Sequence, residues 1–178
     1  MTDLTEKIVA LHETLAGADL AHAFGGALAL AWCTQRARGT IDIDVNIFVG
    51  VGDQQRVFDA MPEGVRVTAR DRTLLKRDGQ VRIWWEDTPL DLFLNTTDYH
   101  EEVAARVRTE VFAGARIPFL ACLDVAVFKA FFNRTKDWAD IEEMHSAGTL
   151  DSDRVAEVIG HYLGEDDERI AALRRISG

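Results

Sequence analysis

Three aspartates stand out by type and spacing. Asp42 and Asp44 flank Ile43, and Asp91 sits in a second alternating segment, Pro89 to Leu94. Residues i and i+2 of a strand point to one face. Asp42 and Asp44 therefore project together, opposite Ile41, Ile43, Val45, Ile47 and Val49. If the Asp91 segment pairs beside them, three carboxylates converge, and like charges a few ångströms apart repel. A hard divalent cation relieves that repulsion, and Mg²⁺ is held by carboxylates together with substrate phosphates. Two such ions clamp the attacking and leaving oxygens of an in-line phosphoryl displacement. Upstream, Gly25-Gly26 precedes an Ala- and Leu-rich segment. Paired glycines let backbone N–H groups approach a phosphate at a helix N-terminus. Each part alone has an ordinary explanation: a solvated strand face, a tight turn, a surface carboxylate. Their order along one chain is what suggests phosphoryl transfer.

These residues need elements to hold them. Leu4, Ile8, Leu11 and Leu15 recur at helical spacing, which predicts an amphipathic helix over 3–16 closed by Gly17. Residues 21–24 read as a short strand running into Gly25-Gly26, and Ala27–Arg36 as a buried helix broken at Gly39. Thr40–Val49 alternates cleanly and reads as a strand. Residues 53–61 read as a helix ended near Pro62, and Val65–Ala69 as a strand. The runs 73–77 and 80–86 flank Asp78-Gly79, a hairpin signal. Pro89–Leu94 predicts a strand with Leu90, Leu92 and Leu94 on one face and Asp91 and Phe93 on the other. Residues 98–107 read as a helix and 115–119 as a short extended piece. From Leu123 onward the pattern is helical, over 123–134, 136–147, 151–163 and 166–176. The expected class is α+β: a mixed twisted sheet flanked by helices over residues 1–120, with a helical bundle over 121–178.

Gly25-Gly26, the Asp42-x-Asp44 pair and a third strand aspartate, in that order, resemble the nucleotidyltransferases of the DNA polymerase β superfamily. The stretch FGGALALAWCTQRARGTIDIDV is similar to versions in AbiEii-type toxin nucleotidyltransferases and small antibiotic nucleotidyltransferases. That group carries an Arg and a Ser, Thr or His before the Asp pair; here these are Arg38 and Thr40. The segment from Lys129 through FFNRTKDWAD, with Asp137 and Asp140, resembles the helical part of the AbiEii-like group. The likeness runs from Ala21 to His145 and implies a polymerase-β-like fold. It implies that Asp42, Asp44 and Asp91 bind two Mg²⁺ ions, and that Asp91 also activates the attacking hydroxyl. Gly25 and Gly26 would cradle the triphosphate of an NTP, with ATP the expected donor and Thr40 beside it. Arg38 and Lys129 would neutralise developing charge. The implied reaction moves NMP to a hydroxyl of an RNA such as tRNA, a small molecule or a protein, in a toxin–antitoxin or resistance system. A nucleotide-binding or antitoxin-type module of the same fold, without turnover, is the alternative. Fifteen residues separate Gly26 from Asp42, so either the intervening helix is a turn longer than usual or the loop at 36–40 is distinctive.

Composition bounds the partners. The chain has 178 residues, 47% of them apolar, enough for a core. Lys plus Arg is 20 and Asp plus Glu is 30, a net charge of −10 spread evenly along the chain. General nucleic-acid binding needs clustered cations, and only residues 66–82 offer them. There Arg66, Arg70, Arg72, Lys76, Arg77 and Arg82 face only Asp71 and Asp78. That strip is either a charged sheet edge or a guide for an anionic acceptor. A cationic small molecule would suit the overall acidity, and a protein hydroxyl is open as well. The longest apolar run, Ala27 to Cys33, falls far short of the roughly 20 residues of a membrane span. Cys33 and Cys122 read as buried thiols of a reducing, cytoplasmic protein.

The remaining residues of interest have two readings each. Trp84 and Trp85 adjoin on a strand, so one is expected in the core and the other outside, where it could stack on a base. Lys129 is either a snorkelling lysine or a phosphate ligand, with Asp137 able to orient it. His22 reads as a buried polar residue. The apolar helices after Leu123 could also form a homodimer face.

Overall fold

The structure, a computed structural model, describes residues 3–178. Asp3 and Glu6 form a capping box that starts helix α1 (Leu4–Gly17). Strand β1 (His22–Phe24), helix α2 (Gly26–Thr34), strand β2 (Ile43–Gly50) and helix α3 (Gln54–Asp59) follow. Next come strand β3 (Val65–Arg66), helix α4 (Ala69–Asp78), strands β4 (Gln80–Trp85) and β5 (Thr88–Asn95), and helix α5 (Tyr99–Ala105). Strands β6 (Arg108–Phe112) and β7 (Ala115–Phe119) precede helices α6 (Cys122–Phe132), α7 (Thr135–Ser146), α8 (Ser152–Leu163) and α9 (Glu168–Ser177).

Two compact units divide these elements. Among the described residues unit 1 is 3–28 together with Gly39–Leu120, and unit 2 is Ala29–Arg38 with Ala121–Gly178. Unit 1 is built on a seven-stranded mixed sheet in the order β3-β4-β5-β2-β1-β7-β6. At its centre β2 and β5 run parallel, pairing Ile43 with Leu90, Val45 with Leu92 and Ile47 with Leu94. These six side chains are buried, each stabilising the fold by about 1.5–3 kcal/mol. Because side chains alternate across a strand, burying that row fixes the other: Asp44 lies opposite Asp91, and Asn46 opposite Phe93.

Lys7 anchors α1 to the β4–β5 hairpin. Its side chain is only 1% exposed, and its Nζ donates to the Trp85 carbonyl at 3.1 Å and to Thr88 Oγ1 at 2.9 Å. Glu86 and Asp87 at the hairpin turn supply the opposite charge.

Unit 2 buries Val125, Ala126, Val127 and Ala130 of α6, Ile141 and Met144 of α7, Val155 and Ile159 of α8, and Leu173 of α9. Asn133, at φ 55°, closes α6 in a left-handed cap, and Arg134 and Asp137 form a capping box at the start of α7.

Four sequence expectations are corrected. The residues 73–77 belong to α4, and Gly79, at φ 68°, is its C-cap, donating its N–H to the Leu75 carbonyl at 2.9 Å. Asp-Gly suits a helix end as well as a hairpin turn because both need positive φ. The Thr68–Asp71 capping box, which also stops β3 at Arg66, decides for the helix. The hairpin lies one strand later, around Glu86-Asp87, where Trp85 pairs with Thr88. Ile41, expected on the core face, is 81% exposed because β2 begins only at Ile43. Cys33 and Cys122, expected as thiols, form a disulfide with Cα atoms 5.6 Å apart. That pairing removes the cysteine argument for a reducing compartment. No helix among the described residues is long and apolar enough to cross a membrane.

Candidate active site

The pairing of β5 between β2 and β4 creates a lateral row on the sheet face opposite the buried leucines. Asp44 of β2 lies beside Asp91 of β5, which lies beside Arg82 of β4. Asp42 precedes β2 and is held by a local turn. The Thr40 hydroxyl donates to Asp42 Oδ1 at 2.7 Å, and the Asp42 N–H donates back to the Thr40 oxygen at 3.3 Å. Thr40 is therefore in place to orient Asp42.

Arg82 binds two of the three carboxylates. Its Nε donates to Asp91 Oδ1 at 2.8 Å and its Nη2 to Asp91 Oδ2 at 2.5 Å, a bidentate fork. The same Nη2 donates to Asp42 Oδ2 at 3.2 Å. The hydrogen bond to Asp91 raises the Arg82 pKa far above its ordinary value. Partial burial opposes this, and the charges of Asp91, Asp42 and Asp44 add to it. Sequence reasoning placed Arg82 in the basic strip and missed this contact. The signal was the two-residue Glu86-Asp87 link, which sets Arg82 opposite Asp91; the hairpin expected at Asp78-Gly79 hid it.

Gly25 and Gly26 join β1 to α2 against Asp44. The Gly25 N–H donates to the Asp44 carbonyl at 2.9 Å. Gly26 has φ +52°, and a Cβ there would lie 2.0 Å from Asp44 Oδ2. Only glycine leaves that carboxylate its place. The helix α2 ends at Thr34, so the long spacing to Asp42 is a loop feature and not an extra helical turn.

The other expected ligands lie in unit 2. Lys129 Nζ donates to Asp140 Oδ2 at 2.6 Å and stands 3.8 Å from Asp137 Oδ1. Arg38 also donates to Asp140, and it pairs with Glu143 at 3.1 Å. Lys129 and Arg38 thus share one carboxylate. Asp137, which the sequence offered as the residue orienting Lys129, is principally the partner of Arg134, at 2.6 and 3.0 Å. Burial pushes the Asp137 pKa up, but the Arg134 hydrogen bonds and the charges of Arg134 and Lys129 hold it below the usual carboxylate value.

Three of the six cations of the basic strip have partners within the chain, while Arg66, Arg70 and Lys76 are exposed. Arg72 donates to Gln55 and lies over the Phe58 ring, Arg77 pairs with Asp78, and Arg82 faces the aspartates. Trp85 is buried and Trp84 is 48% exposed, as their adjacency on a strand predicts.

The donor set Asp42, Asp44 and Asp91 consists of hard carboxylate oxygens, which suit Mg²⁺ and not a thiolate- or imidazole-seeking metal. That donor chemistry fits a Mg²⁺ ion. No three His, Cys, Asp or Glu side chains among the described residues stand as a ready-made metal cage; two of the aspartates are instead drawn to Arg82.

Sheet, crossovers and flanking helices together define the class: the fold is that of the polymerase-β-like nucleotidyltransferases. The solved structures that share it are specific. The chain is similar to the antibiotic-resistance factor ANT(2'')-Ia in its solution structure, with a TM-score of 0.62 and 16% identity over 96% of this chain and 95% of that one. The crystal structure of ANT(2'')-Ia in complex with adenylyl-2''-tobramycin gives 0.62 and 17% over 98% of each chain. The lincomycin-bound lincosamide adenylyltransferase LnuA gives 0.54 and 12% over 80% of this chain and 96% of that one. No family model matches the sequence, and no curated protein does.

Proposed function

We propose that this chain is a Mg²⁺-dependent nucleotidyltransferase that moves an adenylyl group from ATP to a hydroxyl of a small cationic acceptor. The observation that carries the reading is the register of β2 and β5. It sets Asp44 beside Asp91 on the face away from the core, and one nitrogen of Arg82 reaches both Asp91 and Asp42. The fold neighbours are named as adenylyltransferases of antibiotics or as carrying an adenylylated antibiotic, and a net charge of −10 favours a cationic acceptor over RNA.

In this reading Asp42, Asp44 and Asp91 hold the metal. Mg²⁺, when bound, neutralises phosphate charge and aligns the attacking and leaving oxygens. Gly25 and Gly26 give the triphosphate close access to backbone at the start of α2, and Thr40 keeps Asp42 aimed. Asp91 takes the proton of the acceptor hydroxyl. The hydroxyl oxygen forms a bond to the α-phosphorus as the bond to pyrophosphate breaks.

The test uses α-labelled ATP, then the other NTPs, with Mg²⁺ and three acceptor sets: aminoglycosides, lincosamides and cellular RNA. Label on a small molecule with wild type, and none with Asp42→Asn, is the expected result. Label on RNA overturns the acceptor class. Nucleotide bound with no transfer to any set favours a non-catalytic module, the second reading, which the Arg82 pairing of Asp42 and Asp91 also allows.

A further inference from the structure

We infer that Arg82 is an internal cation that competes with the divalent metal for Asp42 and Asp91, so that metal uptake requires its release. The inference rests on the metal site proposed above and goes beyond it. Three observations carry it. First, one nitrogen, Nη2, binds Asp91 Oδ2 at 2.5 Å and Asp42 Oδ2 at 3.2 Å. The two oxygens converge on a single positive point, as they would on an ion. Second, the contact is set by the sheet: antiparallel pairing places Arg82 directly opposite Asp91, and parallel pairing places Asp91 beside Asp44. Third, the Arg82 side chain is half exposed while that of Asp91 is 16% exposed, so the guanidinium can turn into solvent while the carboxylates stay.

The physical consequence is a linkage. Oxygens engaged by the guanidinium are not available to an ion, so the apparent affinity falls by the fraction of molecules in which Arg82 is released. In return the pairing offsets carboxylate repulsion before metal arrives. Arg82 is thus a positioning residue: it keeps the site assembled and sets the metal concentration at which it loads.

The test measures Mn²⁺ affinity by electron paramagnetic resonance at fixed ionic strength, and thermal unfolding in EDTA and in Mn²⁺. Arg82→Gln removes the charge, Arg82→Lys keeps a charge without the fork, and Arg66→Gln makes the same charge change two strands from Asp91. Arg82→Gln should bind Mn²⁺ about tenfold more tightly than wild type, melt lower in EDTA, and gain more from Mn²⁺. Arg82→Lys should fall between, which keeps the test open if the glutamine variant does not fold. Arg66→Gln should change affinity less than twofold. A lower melting point with unchanged or weaker Mn²⁺ binding would mean a purely structural arginine and overturns the inference while leaving the metal site standing. Equal gains in Arg82→Gln and Arg66→Gln overturn it as well. Absence of Mn²⁺ binding in every variant overturns the metal site and the inference together.

Discussion

At the scale of single residues, Gly26 makes the sharpest prediction. Its φ of +52° and the 2.0 Å approach of a would-be Cβ to Asp44 Oδ2 leave no room for a side chain. Gly26→Ala should cost about 1–3 kcal/mol, from left-handed strain and the displaced carboxylate, measured by urea unfolding. Transfer should fall by at least roughly tenfold in the same protein. Asp44→Asn keeps the size of the side chain and removes its charge, so transfer should drop roughly 10²–10³-fold in a protein that still unfolds cooperatively. His22 supplies a pH test. It is buried, with Nδ1–H donating to the Leu20 carbonyl at 2.7 Å and Nε2 2.9 Å from His12 Nδ1. Burial lowers its pKa from 6.5 to about 4, against the Leu20 hydrogen bond and with a smaller push from His12. The unfolded chain therefore takes the proton first, and stability is lost as pH falls from 6.5 towards 4. His22→Asn should flatten that slope by up to about 1.4 kcal/mol per pH unit, measured by denaturant titration at pH 7, 5.5 and 4.

At the scale of elements, Lys7 ties α1 to the β4–β5 hairpin through the Trp85 carbonyl and the Thr88 hydroxyl. Lys7→Met keeps most of the buried stem and removes the charge and donors. It should destabilise the protein by about 1–3 kcal/mol by leaving those acceptors unpaired, read as a lower urea midpoint. The sheet was largely legible: the Ile43-Val45-Ile47 and Leu90-Leu92-Leu94 alternations become paired strands, and Gly25-Gly26 opens α2. The Asp78-Gly79 dipeptide was not legible, because positive φ closes a helix or a hairpin alike and the deciding Thr68–Asp71 cap lies ten residues upstream. Arg82 was lost for the same reason, since its partner depends on which turn makes the hairpin.

At the scale of the whole molecule, the Cys33–Cys122 bond spans 89 residues of chain, including β2 through β7. Cross-linking so long a loop restricts the unfolded ensemble, an effect of about 2–4 kcal/mol. Reduction should lower the melting temperature, and Cys33→Ser with Cys122→Ser should melt at the reduced value whether or not reductant is present, as read by calorimetry. Ellman titration should find no thiol in the unreduced protein. The proposed acceptor class is tested at this scale too: if the acceptor is a cation, a chain of net charge −10 should hold it more weakly as salt rises, because screening removes the long-range part of the attraction.

The sequence alone determined the α+β class, the buried rows of the central strands, the Gly-Gly turn and the strand face that carries Asp44 and that which carries Asp91. Each follows from local periodicity or from a residue type suited to one backbone state. Tertiary structure alone decided the partners: Asp91 beside Asp44, Arg82 opposite Asp91, Cys33 bound to Cys122, and Arg38 and Lys129 sharing Asp140. Those contacts join residues from 9 to 102 positions apart. A local pattern carries the face on which a side chain lies, but only strand register and helix packing determine which charge or sulfur it meets there.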